Sequence, residues 1–298
     1  MKMAETASAA VGVRIASGSE ANSGGWQTRV RRNKTMVGGL VMVVVLGILS
    51  VGAGVLAPYN PTSVAPSEAL EPPSIKHLMG TDQYGRDVLS RVLIGSRLTL
   101  MVGPAAIAIS LLFGFVAGVS AGYVGGRVDM AIMRLVDVML AFPGVLLALG
   151  VIAVLGVGLM NVTIAIGVAY IPNFARLIRA TVLSTKQNLY VEAARAQGAS
   201  GYYIVVRHIV PNIMAPVLVL TTSAIAWAIL TGTALNFLGL GMQPPTPEWG
   251  SDLSDGRTYL VVAWWMTTFP GLGIMVAVLG INLLGDGFRD ILDPYLKQ

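Results

Sequence analysis

The sequence predicts an all-α membrane protein that crosses the bilayer six times. Of its 298 residues, 54% are hydrophobic and only 12% are charged, whereas a soluble domain carries about 25% charged residues. The mean hydropathy is +0.71, and several stretches exceed the roughly 18 apolar residues that mark a membrane span. Together these observations exclude an ordinary soluble domain.

Composition also argues against several kinds of site. The net charge is +5, but the basic residues are spread over loops, where they indicate membrane orientation rather than nucleic-acid binding. The chain has no cysteine and two histidines far apart in sequence, which excludes disulfides and thiolate metal sites. We therefore expect membrane lipid around the chain, and neither a nucleic-acid partner nor a resident metal.

The first elements follow from simple composition. Residues 1–35 are rich in Ala, Ser and Gly and end in a basic cluster, so they are predicted to be a disordered tail. Residues 36–57 form an apolar run that is longer than a signal-peptide core and lies farther from the start, which predicts a retained first span. Residues 58–96 contain many prolines and mixed charges, as expected of a loop outside the bilayer.

Five more spans are predicted within residues 97–286, and residues 287–298 form a polar tail. The 38 residues from 138 to 175 carry no charge. As one helix they would measure about 57 Å, far more than the roughly 30 Å bilayer core, so the chain must turn back near residues 156–161. Arg134 and Asp137, three residues apart, are predicted to pair at the entrance of the third helix. The five spans are expected at 98–123, 129–155, 160–182, 213–235 and 259–284.

The basic residues predict the orientation. If both termini lie on one side, that side holds 15 of the 20 Lys and Arg residues. Cytoplasmic loops carry the excess of basic residues, so both termini and the segment 183–211 are predicted to be cytoplasmic.

Segment 183–211 is a charged, helix-prone stretch between two long hydrophobic runs. Residues 189–197 are good helix formers, and Gly198 is suited to end that helix. A second short helix is predicted from Tyr202 to Val210, stopped by Pro211. Two interpretations remain open from the residues alone. One is a connector on the membrane surface, and the other is a docking helix whose small residues fit a groove in a cytosolic partner.

Several motifs then occur in a familiar order. Glu192, Ala193, Ala194, Gly198 and Pro211 keep the spacing of the EAA loop, although His208 and Val210 depart from its usual ending. The stretches HLMGTDQYGRDVLSR (77–91), MRLVDVMLAFP (133–143), NFLGLGMQPPTPEWG (236–250) and GDGFRDILDPYLKQ (285–298) accompany it. Over residues 36–298 the sequence resembles the ABC importer permeases of the dipeptide, oligopeptide and nickel family, specifically their second permease subunit.

This resemblance implies a type I ABC importer permease fold, in an inner-membrane subunit that moves a small solute, most often di- or oligopeptides. The expected partners are a homologous second permease, two ATPase subunits and an extracytoplasmic solute-binding protein. In such permeases the EAA loop contacts the ATPase, so Glu192, Ala193, Ala194, Gly198 and Pro211 are the expected coupling residues. The chain has no Gly-x4-Gly-Lys-Ser/Thr phosphate loop, so ATP and Mg²⁺ are expected on the ATPase partners and no cofactor or enzymatic activity in this chain.

The extracytoplasmic loops supply a second set of candidates. Asp82, Arg86 and Asp87 are expected to contact the binding protein or to form a structural clasp, and His77 with two of these acids is a weaker metal candidate. Glu248 and Trp249 are expected to contact the binding protein or cap an outer gate. The alternatives are a permease for nickel or another small solute, an ion-coupled secondary transporter or an intramembrane enzyme. A secondary transporter would need a carboxylate deep in a span. An intramembrane enzyme would need a nucleophile placed beside a general base.

Overall fold

A computed structural model describes residues 33–292; residues 1–32 of the tail predicted at 1–35 and the last six residues lie outside that range. In the described part the chain is helical, and no strand is present. The ten α-helices are α1 (Lys34–Leu56), α2 (Val88–Val124), α3 (Gly126–Leu140), α4 (Gly144–Leu155), α5 (Leu159–Lys186), α6 (Leu189–Ala196), α7 (Gly201–Ile204), α8 (Val210–Phe237), α9 (Trp249–Gly256) and α10 (Trp265–Leu292).

Five of these helices are long and apolar enough to cross a membrane, counting α7 and α8 as one continuous helix. The bent pair α3 and α4 makes a sixth crossing if the two count as one span. The first predicted span agrees with α1 to within two residues, and the turn predicted at 156–161 lies between α4 and α5. The all-α fold with six crossings is therefore confirmed, the third as a broken one.

The third span departs from the prediction of one continuous helix. α3 and α4 meet at an angle of 94°, and Pro143 is the N-cap residue of α4. Proline lacks a backbone N–H and disfavours helical geometry in the residue before it, which accounts for the break. The 12 residues of α4 measure about 18 Å, so α4 alone is too short to cross the bilayer.

Other helix ends also differ from the prediction. α2 begins at Val88 rather than near residue 98 and has 37 residues, about 55 Å, so its first turns extend beyond the bilayer. α10 begins at Trp265 rather than at 259, because Arg257–Tyr259 forms a separate 3₁₀ turn. α10 also continues through the first residues of the predicted polar tail, as far as Leu292.

Glycines allow the spans to approach closely. A Cβ atom on Gly114 of α2 would lie 2.5 Å from the Cβ of Phe174, and one on Gly118 would lie 2.7 Å from the carbonyl oxygen of Ala175. Both contacts are with α5, so the α2–α5 interface depends on the missing side chains. α1 packs on α10 in the same way, through Gly39 and Gly280.

The main apolar core lies between α2, α4, α5 and α8, and it extends into segment 183–211 through Val191, Ile204 and Ile209. Two smaller clusters at the opposite end surround Trp249 and Trp265. The two ends of the bundle therefore carry the two candidate sites. We call the end that carries segment 183–211 the α6 end, and the end that carries the two tryptophan clusters the loop end.

Candidate functional site

Helix α6 is the centre of the site at the α6 end. Val191 is fully buried and packs in the main core, whereas Glu192 and Ala193 on the following positions are exposed. One buried residue thus anchors a helix whose other faces are free. Among the described residues, the Glu192 carboxylate has no hydrogen-bond or ion-pair partner within the chain.

Gly198 ends α6 as the sequence predicted. Its φ is +83°, a conformation that strains any residue with a Cβ atom. The Gly198 N–H donates to the Arg195 carbonyl at 3.0 Å and the Ala199 N–H donates to the Ala194 carbonyl at 3.1 Å. These two bonds form a Schellman motif, which satisfies the last carbonyls of the helix.

The exposed faces of α6 and the following turn border an open groove. Its lining combines small residues with two tyrosines, an amide and an imidazole. The lining residues are Tyr190, Ala193, Ala194, Gln197, Gly198, Ala199, Tyr203 and His208. A surface of small side chains beside one unpaired carboxylate is suited to close contact with another protein.

Pro211 does not stop the second helix, contrary to the prediction. A π-helical stretch, Val205–Ile209, joins α7 to α8, and the Val210 N–H donates to Val205 five residues back. Pro211 falls in the first turn of α8, where a proline is tolerated because the first residues of a helix need no donor. The chain therefore passes from the groove into the span without a loop.

The loop end contains a network that we call the clasp, made of the loop 58–87, the start of α2 and α9. Its first part surrounds His77, which is 3% exposed. Nδ1 of His77 lies 2.9 Å from Asp87 and Nε2 lies 3.0 Å from Glu68. Burial disfavours the charged ring, but the hydrogen bonds to the two carboxylates outweigh it and raise the pKa of His77.

The second part of the clasp joins distant segments through buried ion pairs. Asp82 accepts a hydrogen bond from the guanidinium of Arg86 within the loop. Arg91 of α2 binds Asp252 of α9, and the Arg91 Nε lies 3.0 Å from that carboxylate. Arg91 also donates to the carbonyls of Pro61 and Pro245 at 3.1 and 3.2 Å. No local pattern indicated the Arg91–Asp252 pair, because 161 residues separate its members.

Glu248 lies at the N-terminus of α9 with 0% of its surface exposed. One carboxylate oxygen accepts from Thr99 of α2 at 2.8 Å, and the other accepts from the N–H groups of Gly250 and Ser251 at 2.8 and 3.0 Å. Burial raises the pKa of Glu248 to about 7, and nearby Asp252 adds to the rise, against the effect of the three donors.

Trp249, the next residue, donates its indole N–H to the Val92 carbonyl at 2.9 Å and is 1% exposed.

The loop candidates are thus interior residues. Asp82, Arg86, Asp87, Glu248 and Trp249 are all buried, and the expected contact with a binding protein stays a prediction. The physical reason is that each charged group has found an oppositely charged or hydrogen-bonding partner, which makes burial tolerable. The structural clasp is the interpretation that the geometry favours for Asp82, Arg86 and Asp87.

Two family models match the chain. One, described as binding-protein-dependent transport system inner membrane component, matches residues 114–298. The other, the N-terminal TM domain of oligopeptide transport permease C, matches residues 25–73. The chain belongs to the binding-protein-dependent permease family.

Curated relatives support the same assignment. The permease is 43% identical over 270 residues to the dipeptide transport system permease protein DppC of Alkalihalophilus pseudofirmus, covering 91% of this chain and 89% of that protein. It is 41% identical over 274 residues to the glutathione transport system permease protein GsiD of Pectobacterium atrosepticum, covering 92% and 91%. Among solved structures it is similar to the MetNI methionine ABC transporter in inward-facing conformations, with 20% identity, a TM-score of 0.48 and coverage of 65% and 94%.

Membership of this family makes the chain a multi-pass ABC permease, a transport subunit rather than an enzyme. Within the described residues no group of three or more His, Cys, Asp or Glu side chains could hold a metal ion. Both ring nitrogens of His77 are already engaged by carboxylates, and Asp82 pairs with Arg86 instead of joining them.

The charged residues of α3 form ion pairs, but not the predicted one. Asp137 pairs with Arg176 of α5 at 2.8 Å, and no Arg134–Asp137 pair is found. Asp129 binds Arg179 of α5 through both carboxylate oxygens, at 2.5 and 2.6 Å. Both acids lie where α3 packs against α5, and spacing along one helix could not reveal partners 39 and 50 residues away.

Proposed function

We propose that the permease forms one half of the membrane channel of an ATP-driven importer for di- or oligopeptides. The support for peptides is that the relatives named for dipeptide and glutathione transport each share more than 40% identity over about nine-tenths of this chain. Glutathione is a modified tripeptide, so both names indicate short peptides. The alternatives from the sequence, nickel transport and ion-coupled secondary transport, have no such support.

The proposal includes a set of partners. A homologous second permease would complete the channel, two ATPase subunits would bind ATP and Mg²⁺, and an extracytoplasmic binding protein would deliver the peptide. The distribution of basic residues supports a cytoplasmic position for both termini and for the α6 end. The clasp would then lie outside, where its buried network holds α9 against α2 and makes α9 a part of the outer gate.

Helix α6 is the proposed contact with the ATPase, and its exposed, unpaired Glu192 is the observation that carries this assignment. A carboxylate without a partner among the described residues of its own chain is available to a basic or amide group of another subunit. The small residues beside it permit close approach, and the buried Val191 fixes the helix to the span bundle. Motion imposed on α6 would therefore be passed to the spans rather than absorbed by a loop.

The experiment uses the permease co-expressed with its neighbouring second permease and ATPase genes, purified and placed in proteoliposomes. We expect Glu192→Ala to reduce peptide uptake per ATP hydrolysed by about tenfold, because losing a charge-assisted hydrogen bond costs about 1.5–3 kcal/mol. We expect Gly198→Val to reduce it as well, because a residue with a Cβ atom is strained at the φ of +83° that ends α6. Gln187→Ala is the matched control, since Gln187 is also exposed and lies two residues before α6.

Three results bear on the proposal. Unchanged coupling in both variants would remove the docking role of α6. Purification of the chain alone, with transport driven by an ion gradient, would refute the ABC assignment. Uptake of nickel but not of a labelled dipeptide by the assembled complex would replace the proposed solute.

A further inference from the structure

The break between α3 and α4 makes α3 a separate lever at the α6 end. α3 has 15 residues and leaves α4 at 94°, with Pro143 at the junction. Only Gly125 separates it from α2, so neither of its ends is fixed by a continuous helix. Its position must be held by contacts made by its side chains.

Two ion pairs with α5 supply such contacts, and they differ in character. Arg179 reaches both oxygens of Asp129, and the two side chains are 32% and 20% exposed. Arg176 reaches one oxygen of Asp137, with 59% and 60% of the side chains exposed. A two-point, half-buried Arg–carboxylate pair fixes orientation, whereas an exposed single contact contributes little.

The other end of this connection is α6. α5 ends at Lys186, and two residues later α6 begins at Leu189. Lys186 donates to the Tyr123 carbonyl at 2.7 Å, so the same end of α5 also holds the end of α2. The last two turns of α5 are therefore a short rigid arm, with α6 attached to its tip and Asp129 bound at Arg179.

We propose that the Asp129–Arg179 pair transmits the movement of α6 to the broken α3–α4 span, and that both are positioning residues for transport. This inference rests on the proposed function of α6 as the ATPase contact. Displacement of α6 moves the end of α5, Arg179 carries Asp129 with it, and α3 swings about the two points where the helix is interrupted. Such hinges at element ends absorb large backbone changes while the elements stay rigid.

The test compares Asp129→Asn with wild type in proteoliposomes that contain the whole importer and its binding protein. We expect peptide uptake per ATP hydrolysed to fall about fivefold, within the range of roughly 2- to 30-fold that coupling elements show. Asp129→Glu, which keeps the carboxylate, is expected to stay within about twofold of wild type. Asp137→Asn is the matched control on the same helix and is also expected to change by less than about twofold.

Hydrogen exchange gives a readout that a purely structural role would not move. In the wild-type importer, addition of ATP is expected to change the hydrogen-exchange rates of the backbone amides in α3 as well as in α6. In Asp129→Asn the change is expected to persist in α6 and vanish from α3.

The outcomes separate this inference from the proposed function. Co-purification of all subunits with an unchanged coupling ratio in Asp129→Asn would refute the role of the pair. Equal losses in Asp129→Asn and Asp137→Asn would assign the effect to the charge of α3 in general, which also overturns it. Failure of the wild-type chain to retain the ATPases would instead refute the proposed function.

Discussion

The buried carboxyl of Glu248 makes the stability of the permease depend on pH in a way that one substitution can isolate. Its pKa is raised from 4.5 to about 7. Between these two pH values the folded protein therefore holds a proton on Glu248 that the unfolded chain has already released. This stabilisation is fully present below pH 4.5 and is lost as the pH rises through 7.

The size of the effect follows from the same two values. At about 1.4 kcal/mol per pH unit, the difference between 4.5 and about 7 corresponds to about 3 kcal/mol of unfolding free energy. Glu248→Gln removes the titration and keeps the shape of the side chain. The glutamine oxygen can accept from the Gly250 and Ser251 N–H groups, and its amide can donate to the hydroxyl of Thr99.

The assay is unfolding of purified wild type and Glu248→Gln in mixed micelles at pH 5 and pH 8. The difference in unfolding free energy between the two proteins is expected to move by about 2–3 kcal/mol in favour of the variant as the pH rises. Asp252 and His77 titrate in both proteins, so the comparison removes most of their contribution. Glu192→Gln, which replaces an exposed carboxyl at the other end of the bundle, is the control substitution. A flat difference for Glu248→Gln would show that Glu248 stays ionised and would refute the reasoning.

Two further predictions concern the clasp and the packing of the spans. The raised pKa of His77 implies stabilisation that is present below about pH 6.5 and lost as the pH rises through the folded value. His77→Gln should therefore be less stable than wild type at pH 5.5 by about 2 kcal/mol, and this difference in the free energy of unfolding should shrink as the pH rises to 8.5. A difference that does not depend on pH would contradict this. Gly118→Ala should lower the free energy of unfolding by about 1–3 kcal/mol because its Cβ would overlap α5. Gly150→Ala, where a Cβ meets nothing within 4 Å, should have no such cost, and equal thermal shifts in the two variants would refute the packing argument.

Several features were determined by local sequence. The apolar runs and their charge-free lengths predicted where the chain crosses the bilayer, because the bilayer demands long uncharged helices whatever their neighbours. Gly198 predicted the end of α6, since a positive φ depends on the residue itself. The turn at 156–158 followed from length, and its glycines adopt φ of +87° and +139°.

Other features were decided only by tertiary structure. Spacing suggested an Arg134–Asp137 pair, but the packing of α3 against α5 brings Asp137 to Arg176 instead. Pro211 was expected to stop a helix, and the π-helical turn before it let the helix continue.

The loop end shows the same contrast most clearly. Glu248 and the clasp residues looked like surface charges, because a loop sequence does not show which partners will surround a charge. Thr99 lies 149 residues from Glu248 and Arg91 lies 161 residues from Asp252. The sequence alone determined that this chain is a bundle of membrane helices with a short polar helix at one end. Its folding determined which charges are buried, because burial of a charge depends on the partner that the fold brings to it.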